Sequence, residues 1–431
     1  MQSIEPKSSD SELGMSLYLT GACRGTGGRI KVEVDDFVVR EIPDLPVEKE
    51  AGRFLVCRVT ARNWETNRLI RELSRRLAIS RKRIGFAGTK DKRGVTTQYM
   101  TFEGVEKEGV LALNIRDVTI EPMHRAARAI TLGNLWGNDF DIVIRECQMS
   151  GKELESTART VLDNITSAGG FPNFFGVQRF GSLRPNTHIV GLRIIKKDFE
   201  GAVHAYAGNP GSGEDEEVRR ARALFDSGGP ISEILSILPG VMTFEKTMLQ
   251  YLQKHPGDFV GSLRQLPPNM LMMFVHAVQA KLFNEIICDR ILSGVPLDRP
   301  VVGDIVLAAR ETGLPDRERQ IKVDERNLVA VAEQVGRGFG FVSGILFGWQ
   351  PVFADGIQGI IERKVVERND LKEQDFIVPE IGECTSSGSR REMLSPLHEL
   401  RMEVDGNSLK LHFKLIKGSY ATSLLREITK N

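Results

Sequence analysis

The sequence predicts an α/β (α+β) protein in which a mixed domain is interrupted by a large, mainly helical insertion. The chain has 431 residues, more than one hydrophobic core normally serves, so we expect at least two domains. Strand and helix patterns alternate over residues 27–145, whereas residues 216–335 are mainly helical in pattern. Residues 400–431 again combine strand and helix patterns, as residues 27–145 do, so we expect them to rejoin the first domain.

Four segments predict the elements of the first domain. Residues 54–59 are apolar enough for a buried strand, and residues 66–77 place their apolar side chains on one helical face. Residues 140–145 alternate in a way that is typical of a strand with one wetter face. A second amphipathic helix over residues 154–165 is closed by Gly169-Gly170.

The C-terminal residues predict a hairpin followed by a short helix. Apolar residues alternate on both sides of the turn Asp405-Gly406-Asn407, and residues 419–429 have a helical pattern. The loop-like segments 207–217 and 373–389 lie on either side of the helical stretch. Residues 1–13 are polar and predict a flexible tail.

Composition excludes several classes of protein. The formal net charge of +1 does not indicate nucleic acid, so only a local concentration of charge can do so. The five cysteines are scattered and form no Cys-x-x-Cys pair, which favours reduced thiols in a cytoplasmic protein and no metal site. The N-terminus has no secretory signal. Residues 270–292 are apolar but contain charges, which predicts a buried helix and no membrane span.

Basic residues are concentrated in one segment, residues 68–93, which contains only two acids, Glu72 and Asp91. Such a patch is expected where a protein contacts a phosphate backbone, although a solvated helix face is an equal alternative. The basic residues are Arg68, Arg71, Arg75, Arg76, Arg81, Lys82, Arg83, Lys90, Lys92 and Arg93.

Asp91 is unusual because it stands between two lysines in a glycine-bounded loop. Neighbouring cations keep a carboxylate ionised at neutral pH. An ionised carboxylate can assist cleavage of a glycosidic bond, either by attack at C1′ or as a base on a neighbouring proton. The alternative is a turn aspartate in a surface salt bridge, which would contribute little.

Residues 84–98, which contain Lys90-Asp91, resemble the signature of the TruD family of tRNA pseudouridine synthases. Further segments match the same family in the same order, and the match at residues 388–391 is weaker. Phe174 stands where the family usually has tyrosine, a difference of one hydroxyl. The other matching segments are residues 36–41, 137–140, 172–181 and 418–427.

The resemblance implies a pseudouridine synthase catalytic domain, with a mixed and largely antiparallel sheet, interrupted by the family's TRUD domain. It also implies isomerisation of uridine 13 in tRNA. The expected division of the chain is a tail at 1–13, the catalytic domain at 14–185 and 390–431, and the insertion at 186–389.

The resemblance assigns Asp91 as the catalytic carboxylate and suggests residues that bind the substrate. For each substrate-binding candidate a purely structural alternative stays open. Phe37 and Phe140 can be core aromatics, and Asn138 can be a turn residue. Tyr420 can be a helix-start residue, and Lys90 an exposed lysine without a function. The expected RNA contacts are Arg75, Arg76, Arg81, Lys82, Arg83, Lys92, Arg93, Arg179, Arg390 and Arg391. For the last two, a loop salt bridge is an equal alternative.

Isomerisation requires no redox step or group transfer, so we expect no cofactor and no metal. The expected partner is tRNA, without a membrane, and the chain is expected to be a monomer. Two rival classes of function remain at this point. A non-catalytic RNA-binding protein would not depend on Asp91, and a base-excising hydrolase acting through Asp91 would release free uracil.

Overall fold

The structure, a computed structural model, describes residues 4–90, 92–181 and 183–431. The predicted catalytic residue, Asp91, lies outside the described residues. The chain forms two compact units. The first, which we call the sheet unit, contains Thr20–Phe171 and Ser395–Asn431, and the second, the inserted unit, contains Glu5–Leu19 and Pro172–Leu394.

The strands are numbered in chain order. They are β1 Gly27–Ile30, β2 Phe37–Pro43, β3 Phe54–Arg62, β4 Ile84–Phe86, β5 Val95–Glu103, β6 Val118–Ala126, β7 Leu135–Cys147, β8 Phe171–Pro172, β9 Ile305–Ala309, β10 Pro315–Lys322, β11 Gly340–Leu346, β12 Ser389–Glu392, β13 Leu394–Ser395, β14 His398–Asp405 and β15 Ser408–Ile416.

The helices are numbered in the same way. They are α1 Ser8–Glu12, α2 Thr66–Arg76, α3 Lys107–Leu111, α4 Gly151–Ser167, α5 Thr187–Ile195, α6 Phe199–Ala207, α7 Glu216–Asp226, α8 Ile231–Ile237, α9 Thr243–Lys254, α10 Phe259–Leu263, α11 Pro268–Leu292, α12 Leu328–Gly336, α13 Gly356–Arg368 and α14 Ala421–Thr429.

The sheet unit is built on a nine-stranded sheet with the order β14-β15-β7-β2-β5-β3-β6, while β1 pairs with β7 and β4 with β5. The pairing of β2 with β5 is parallel, and the other registered pairs of this sheet are antiparallel. This confirms the predicted mixed, largely antiparallel sheet. The C-terminal hairpin is also confirmed, because β14 and β15 join on either side of Gly406.

Helices cover the sheet because their apolar faces match the apolar rows of the strands. One core joins α4 and α14 to β2, β7 and β15, and a second joins α2 to β3 and β5. The predicted helix faces are therefore confirmed: Leu69, Ile70 and Leu73 of α2 are buried, as are Leu154 and Ile165 of α4. Each buried leucine or isoleucine contributes about 1.5–3 kcal/mol relative to an exposed one.

The inserted unit combines most of the helices with a four-stranded sheet of order β10-β9-β11-β12. The helices were expected, but this sheet was not. The apolar run of β9 is too short for its periodicity to distinguish a buried strand from a buried helix. Strand β10 is mostly exposed and has no apolar alternation.

Helix α11 is the central helix of the inserted unit. By length and apolar composition it is a candidate membrane span, but 72% of that window is buried inside the protein. Its side chains Phe274, Phe283 and Ile287 are almost wholly buried. A protein environment on most sides is typical of a core helix, which agrees with the predicted buried helix.

The N-terminal segment differs from the expected flexible tail and from the expected domain boundary. Residues 8–12 form α1, and Glu5–Leu19 belong to the inserted unit. The reason is packing: Leu13 and Met15 are buried, and the carbonyl oxygen of Leu13 accepts a hydrogen bond from Nδ2 of Asn284 at 2.9 Å. The compact units otherwise divide after residues 171 and 394, whereas the predicted boundaries lie after residues 185 and 389.

Candidate active site

Three neighbouring strands of the sheet unit bring some of the predicted site residues, Phe37, Asn138 and Phe140, onto one face of the sheet. In the register of β2, β7 and β15, Asn138 lies opposite Glu41 on one side and Leu415 on the other. Phe140 lies two residues further along β7, and since side chains alternate along a strand it shares a face with Asn138. Residues that are distant in sequence therefore form one surface.

An aromatic cluster forms part of this face. The rings of Phe37 and Phe140 are 6.3 Å apart and nearly perpendicular, and Phe140 stacks on Phe413 at 5.2 Å. Both Phe37 and Phe140 are only 7% exposed and belong to the core of the sheet unit, which agrees with the core-aromatic alternative. The ammonium of Lys31 lies 4.2 Å from the centre of the Phe37 ring, within the range of a cation–π contact. Sequence reasoning missed Lys31.

Lys90 is held by a buried ion pair. Its Nζ lies 2.5 Å from Oε1 of Glu41, and the two side chains are 10% and 1% exposed. The second oxygen of Glu41 accepts the backbone N–H of Tyr99 at 3.0 Å. Lys90 is therefore not an exposed surface lysine. Sequence reasoning missed Glu41, although its place in the matching segment of residues 36–41 was an available signal.

The loop before Asp91 is fixed by side chains of the surrounding elements. The backbone N–H of Lys90 donates to Oγ1 of Thr66 at 2.8 Å, and Gln98 donates to the carbonyl oxygen of Gly88 at 2.8 Å. Thr66 and Gln98 are hydrogen-bonded to each other at 3.2 Å. This loop segment thus has little freedom, because both its backbone and its lysine side chain are held.

The chain after Asp91 is also held. Arg93 donates to the carbonyl oxygen of Val32 at 2.8 Å, and the N–H of Asn63 donates to the carbonyl oxygen of Gly94 at 2.9 Å. Gly94 has φ +155° and passes so close to Phe37 that a Cβ would lie 2.5 Å from its carbonyl oxygen. Glycine is required there, and the loop is constrained on both sides of residue 91.

Asn138 presents an atom with unused hydrogen-bonding capacity. Its Oδ1 is buried and has no hydrogen-bond partner among the residues that the structure describes. Leaving a buried acceptor unsatisfied costs about 1–3 kcal/mol, so such an atom indicates a ligand or a side chain that is not described. Tyr420 lies at the start of α14, four residues after β15 ends at Ile416, and Ile416 pairs with Gly137. Tyr420 therefore comes soon after the end of β15 that pairs with β7 beside Asn138.

Asp36, the acid of the predicted early motif, has a structural role. Burial raises the pKa of its carboxyl group, but hydrogen bonds from Arg145 and from the Glu33 N–H outweigh this effect and hold the pKa below its usual value. The Arg145 Nε lies 2.8 Å from the carboxylate. This ion pair ties the start of β2, just before Phe37, to β7.

The basic segment is less uniform than its sequence suggests. Glu72 forms ion pairs with Arg75 at 2.7 Å and Arg76 at 2.5 Å, and hydrogen bonds from these two guanidinium groups lower the pKa of Glu72 to about 2. Arg83 donates to the carbonyl oxygen of Glu103. The side chains that remain exposed at the surface include those of Arg81, Lys82, Lys92 and Arg93.

Two adjacent arginines of the inserted unit are both buried but have different partners. Arg390 is 1% exposed and forms a 2.7 Å ion pair with Glu362, which is wholly buried. The prediction that Arg390 contacts RNA is therefore wrong, because its guanidinium group is enclosed; the salt-bridge alternative describes it. Arg391 lies 4.1 Å from the ring of Phe175 and donates to Oδ1 of Asn173 at 2.7 Å. Arg179 also lies near Phe175, at 5.7 Å.

Comparisons with known proteins agree with this architecture. The family model described as tRNA pseudouridine synthase D (TruD) matches residues 12–428. A probable tRNA pseudouridine synthase D of Methanococcoides burtonii is 41% identical over 98% of this chain and 97% of its own length. A second, from Thermococcus onnurineus, is 37% identical over 94% and 96%. The crystal structure of a putative TruD from Methanosarcina mazei superimposes with a TM-score of 0.83, is 38% identical, and covers 99% of this chain and 98% of that one.

The fold and the site thus define an RNA-modifying isomerase, a tRNA pseudouridine synthase that converts uridine to pseudouridine. Within that class, the chain belongs to the TruD family.

Proposed function

We propose that this enzyme isomerises uridine 13 of tRNA with Asp91 as its catalytic carboxylate. The observation that supports this most strongly is the immobilised loop on both sides of Asp91. The Lys90 side chain is anchored by Glu41 at 2.5 Å, and Gly94 is packed against Phe37. A side chain that must act at one carbon atom needs a fixed backbone, because small errors of position reduce rates strongly.

The reaction rearranges bonds within one nucleotide. The target uridine leaves the RNA stack, as bases do when enzymes act on them. The N1–C1′ bond breaks with assistance from Asp91, the uracil rotates, and a C5–C1′ bond forms. The C5 proton is lost and N1 gains a proton, so the product has the same atoms as the substrate.

The residues of the sheet face take the roles of binding and orientation. Oδ1 of Asn138 accepts a hydrogen bond from a donor on the uracil edge, which satisfies a buried acceptor that is otherwise without a partner among the described residues. The edges of Phe37 and Phe140 border the base, and Tyr420 contributes an aromatic surface from the start of α14. Lys90, whose ammonium is paired with Glu41, holds the backbone that leads to Asp91, and Lys31 adds a positive charge over the Phe37 ring.

Exposed cations of the basic segment contact the tRNA backbone. The candidates are those with exposed side chains, Arg75, Arg81, Lys82, Lys92 and Arg93. Arg76, Arg83 and Arg93 each also donate to a backbone carbonyl oxygen of the sheet unit, of Asn114, Glu103 and Val32 respectively, which leaves fewer of their N–H groups for phosphate. Each phosphate contact should add about one unit to the salt dependence of tRNA binding.

The proposal includes no cofactor, because isomerisation neither gains nor loses electrons or groups. We also propose that the protein is a monomer and that it acts in the cytoplasm. Analytical ultracentrifugation of the protein with and without tRNA measures the stoichiometry, and a dimer at micromolar concentration would contradict the monomer.

The first prediction concerns Asp91. We expect Asp91→Asn to abolish pseudouridine formation in an unmodified tRNA with uridine at position 13, while tRNA binding changes less than threefold. The amide keeps the size of the side chain but has no negative charge for the anomeric carbon. Mass spectrometry after chemical tagging of pseudouridine measures the product, and filter binding measures affinity.

The same experiment separates the rival functions. A non-catalytic RNA-binding protein would give no product even with the wild-type chain, and a base-excising hydrolase would give free uracil and an abasic site. Either outcome would overturn the proposal. A tRNA in which cytidine replaces uridine 13 serves as the substrate control and should yield no pseudouridine at that position.

A further inference from the structure

The inserted unit contains a cavity of about 340 Å³ that the proposed chemistry does not use. Its walls come from the segment around Arg179, from helix α11, from β10, and from the loop at residues 386–389 that leads into β12. The volume lies within the range of pockets that bind small organic molecules or parts of larger ones.

The charge of the lining is positive. Arg179, Arg317 and Arg391 all line the cavity, and none of the lining residues that the structure describes is acidic. Arginine has a planar fork of N–H donors that matches phosphate better than a lysine ammonium does. A cavity with three guanidinium groups and no carboxylate favours an anionic ligand.

The remaining lining residues supply neutral hydrogen-bonding groups. His276 lines the cavity, and burial together with the nearby charge of Arg179 lowers its pKa, so the imidazole is neutral at pH 7. A neutral imidazole offers one donor and one acceptor. Gln279 and the hydroxyls of Ser386, Ser387 and Ser389 add further polar groups. This mixture suits the edge of a nucleobase beside a phosphate.

The cavity is preformed. Arg391 is 3% exposed and is held between Asn173 and the ring of Phe175. The loop is fixed to the segment after β11, where the N–H groups of Trp349 and Gln350 donate to the carbonyl oxygens of residues 386 and 387 at 3.0 and 3.1 Å.

Gly388 shows how tightly this loop packs. It has φ +85°, and a Cβ at this position would overlap the carbonyl oxygen of Leu346 and lie 2.8 Å from the nitrogen of Gly348. Only glycine fits, so the loop cannot relax easily. A rigid pocket loses little entropy on binding.

We propose that this cavity binds one nucleotide of the tRNA substrate, other than the uridine that is isomerised, with its phosphate on the arginines and its base edge on His276 and the serine hydroxyls. This site rests on the proposed function, since its ligand is the substrate RNA. Protein recognition of RNA commonly combines phosphate contacts with hydrogen bonds to the edge of an unstacked base. The cavity therefore contributes affinity and substrate choice without taking part in bond cleavage.

The test measures tRNA binding in the Asp91→Asn background, so that catalysis does not enter. Arg317→Ala removes one exposed cation of the cavity wall, and Arg319→Ala, on the same strand but not in the lining, is the matched control. We expect Arg317→Ala to weaken binding about tenfold, and to reduce the slope of log K against log salt by about one unit. Arg319→Ala should change neither by more than the error of the measurement.

A second variant tests the cavity by filling it. Ser387 is exposed and lies in the loop, so Ser387→Trp can block the cavity without removing a charge. We expect at least tenfold weaker tRNA binding and a smaller salt slope, because a blocked cavity keeps the phosphate away from the arginines. In the active enzyme, with Asp91 retained, both cavity variants should raise KM for tRNA and leave kcat within twofold.

The outcomes distinguish this site from the proposed function. If the wild-type chain makes pseudouridine but Arg317→Ala and Ser387→Trp bind tRNA like Arg319→Ala, the nucleotide site is wrong and the function stands. If adenosine monophosphate alone raises the melting temperature of the wild-type chain and the variants keep normal tRNA affinity, the cavity is a free-nucleotide site and the proposal is overturned. Absence of pseudouridine with the wild-type chain contradicts the function itself.

Discussion

Lys90, which directly precedes Asp91 in the sequence, is fixed by two contacts. Its backbone N–H donates to Oγ1 of Thr66, and its ammonium is paired with Glu41. A buried ion pair is stabilising only when its remaining hydrogen-bonding groups are satisfied. Glu41 meets this condition through the Tyr99 N–H. We infer that Glu41 is a positioning residue, which acts on the reaction through Lys90 without touching the substrate.

The prediction at this scale is that Glu41→Gln lowers kcat by about tenfold to a hundredfold, or about 1.4–2.8 kcal/mol on the barrier. The amide cannot neutralise Lys90, so the ammonium moves and the loop with it. KM for tRNA should change less than threefold. Single-turnover rates with tritium release from C5-labelled uridine measure the chemical step.

Glu121→Gln is the control for this variant. Glu121 also forms an ion pair within the sheet unit, with Arg58 at 2.6 Å. Both side chains of this pair are about half exposed. Exposed pairs contribute only about 0–1 kcal/mol, so its kcat should equal that of the wild type. A Glu41→Gln enzyme with wild-type kcat would contradict the positioning role.

Among the elements, β7 determines where the site lies. This strand of thirteen residues pairs with β1, β2 and β15. The strand carries both Asn138 and Phe140, so a one-residue slip in its register would turn both side chains to the other face of the sheet. The close approach of β7 and β15 at Gly137 restrains that register, because a Cβ there would overlap the carbonyl oxygen of Leu415.

The prediction for this element is that Gly137→Ala destabilises the protein by about 1–3 kcal/mol, the usual range for overpacking. The methyl group must push β15 away from β7 beside Asn138, so kcat should fall as well. Urea unfolding followed by circular dichroism measures stability. Gly109→Ala, in α3 with its nearest neighbour 3.8 Å from the added Cβ, should be neutral or stabilising.

Sequence patterns described the elements of the sheet unit well because their signals are local. Periodicity located α2 and α4, and the turn Asp405-Gly406-Asn407 located the hairpin. The small sheet of the inserted unit was missed because β9 is a short apolar run and β10 is mostly polar, without apolar alternation. Their pairing depends on partners elsewhere in the chain, which no local pattern identifies.

For the molecule as a whole, the inserted unit is built from two separate segments, Glu5–Leu19 and Pro172–Leu394, and the chain returns to the sheet unit after each of them. The inserted unit contains its own buried ion pairs, Arg290–Asp304 and Arg390–Glu362, whose side chains are at most 1% exposed. It also contains His188, whose Nδ1 is buried without a hydrogen-bond partner among the described residues. Burial, with a smaller contribution from Lys281, lowers the pKa of His188 to about 4.

This histidine predicts how the stability of the inserted unit depends on pH. The folded pKa lies below the unfolded value of about 6.5, so the folded state binds fewer protons between these two values. The stabilising contribution of neutral His188 is therefore present above pH 6.5 and is lost as the pH falls towards 4. Between pH 7 and pH 5 the loss should be about 2 kcal/mol.

Urea unfolding at pH 7 and pH 5 measures this loss. His188→Gln should lose about 2 kcal/mol less than the wild type over the same interval, because glutamine does not titrate. The exposed His255, replaced in His255→Gln, is the control and should leave the pH dependence unchanged. Equal pH dependence in the wild type and His188→Gln would show that this histidine is not buried in its neutral form.

By itself, the sequence determined the class of the enzyme, the main elements of the sheet unit and the loop that contains Lys90 and Asp91. Tertiary structure decided that Glu41 neutralises Lys90, that Arg390 is enclosed, and that the N-terminal segment packs in the inserted unit. The physical reason is distance along the chain. Periodicity and turn chemistry act between near neighbours, whereas burial and ion pairing depend on residues that meet only when the chain is folded.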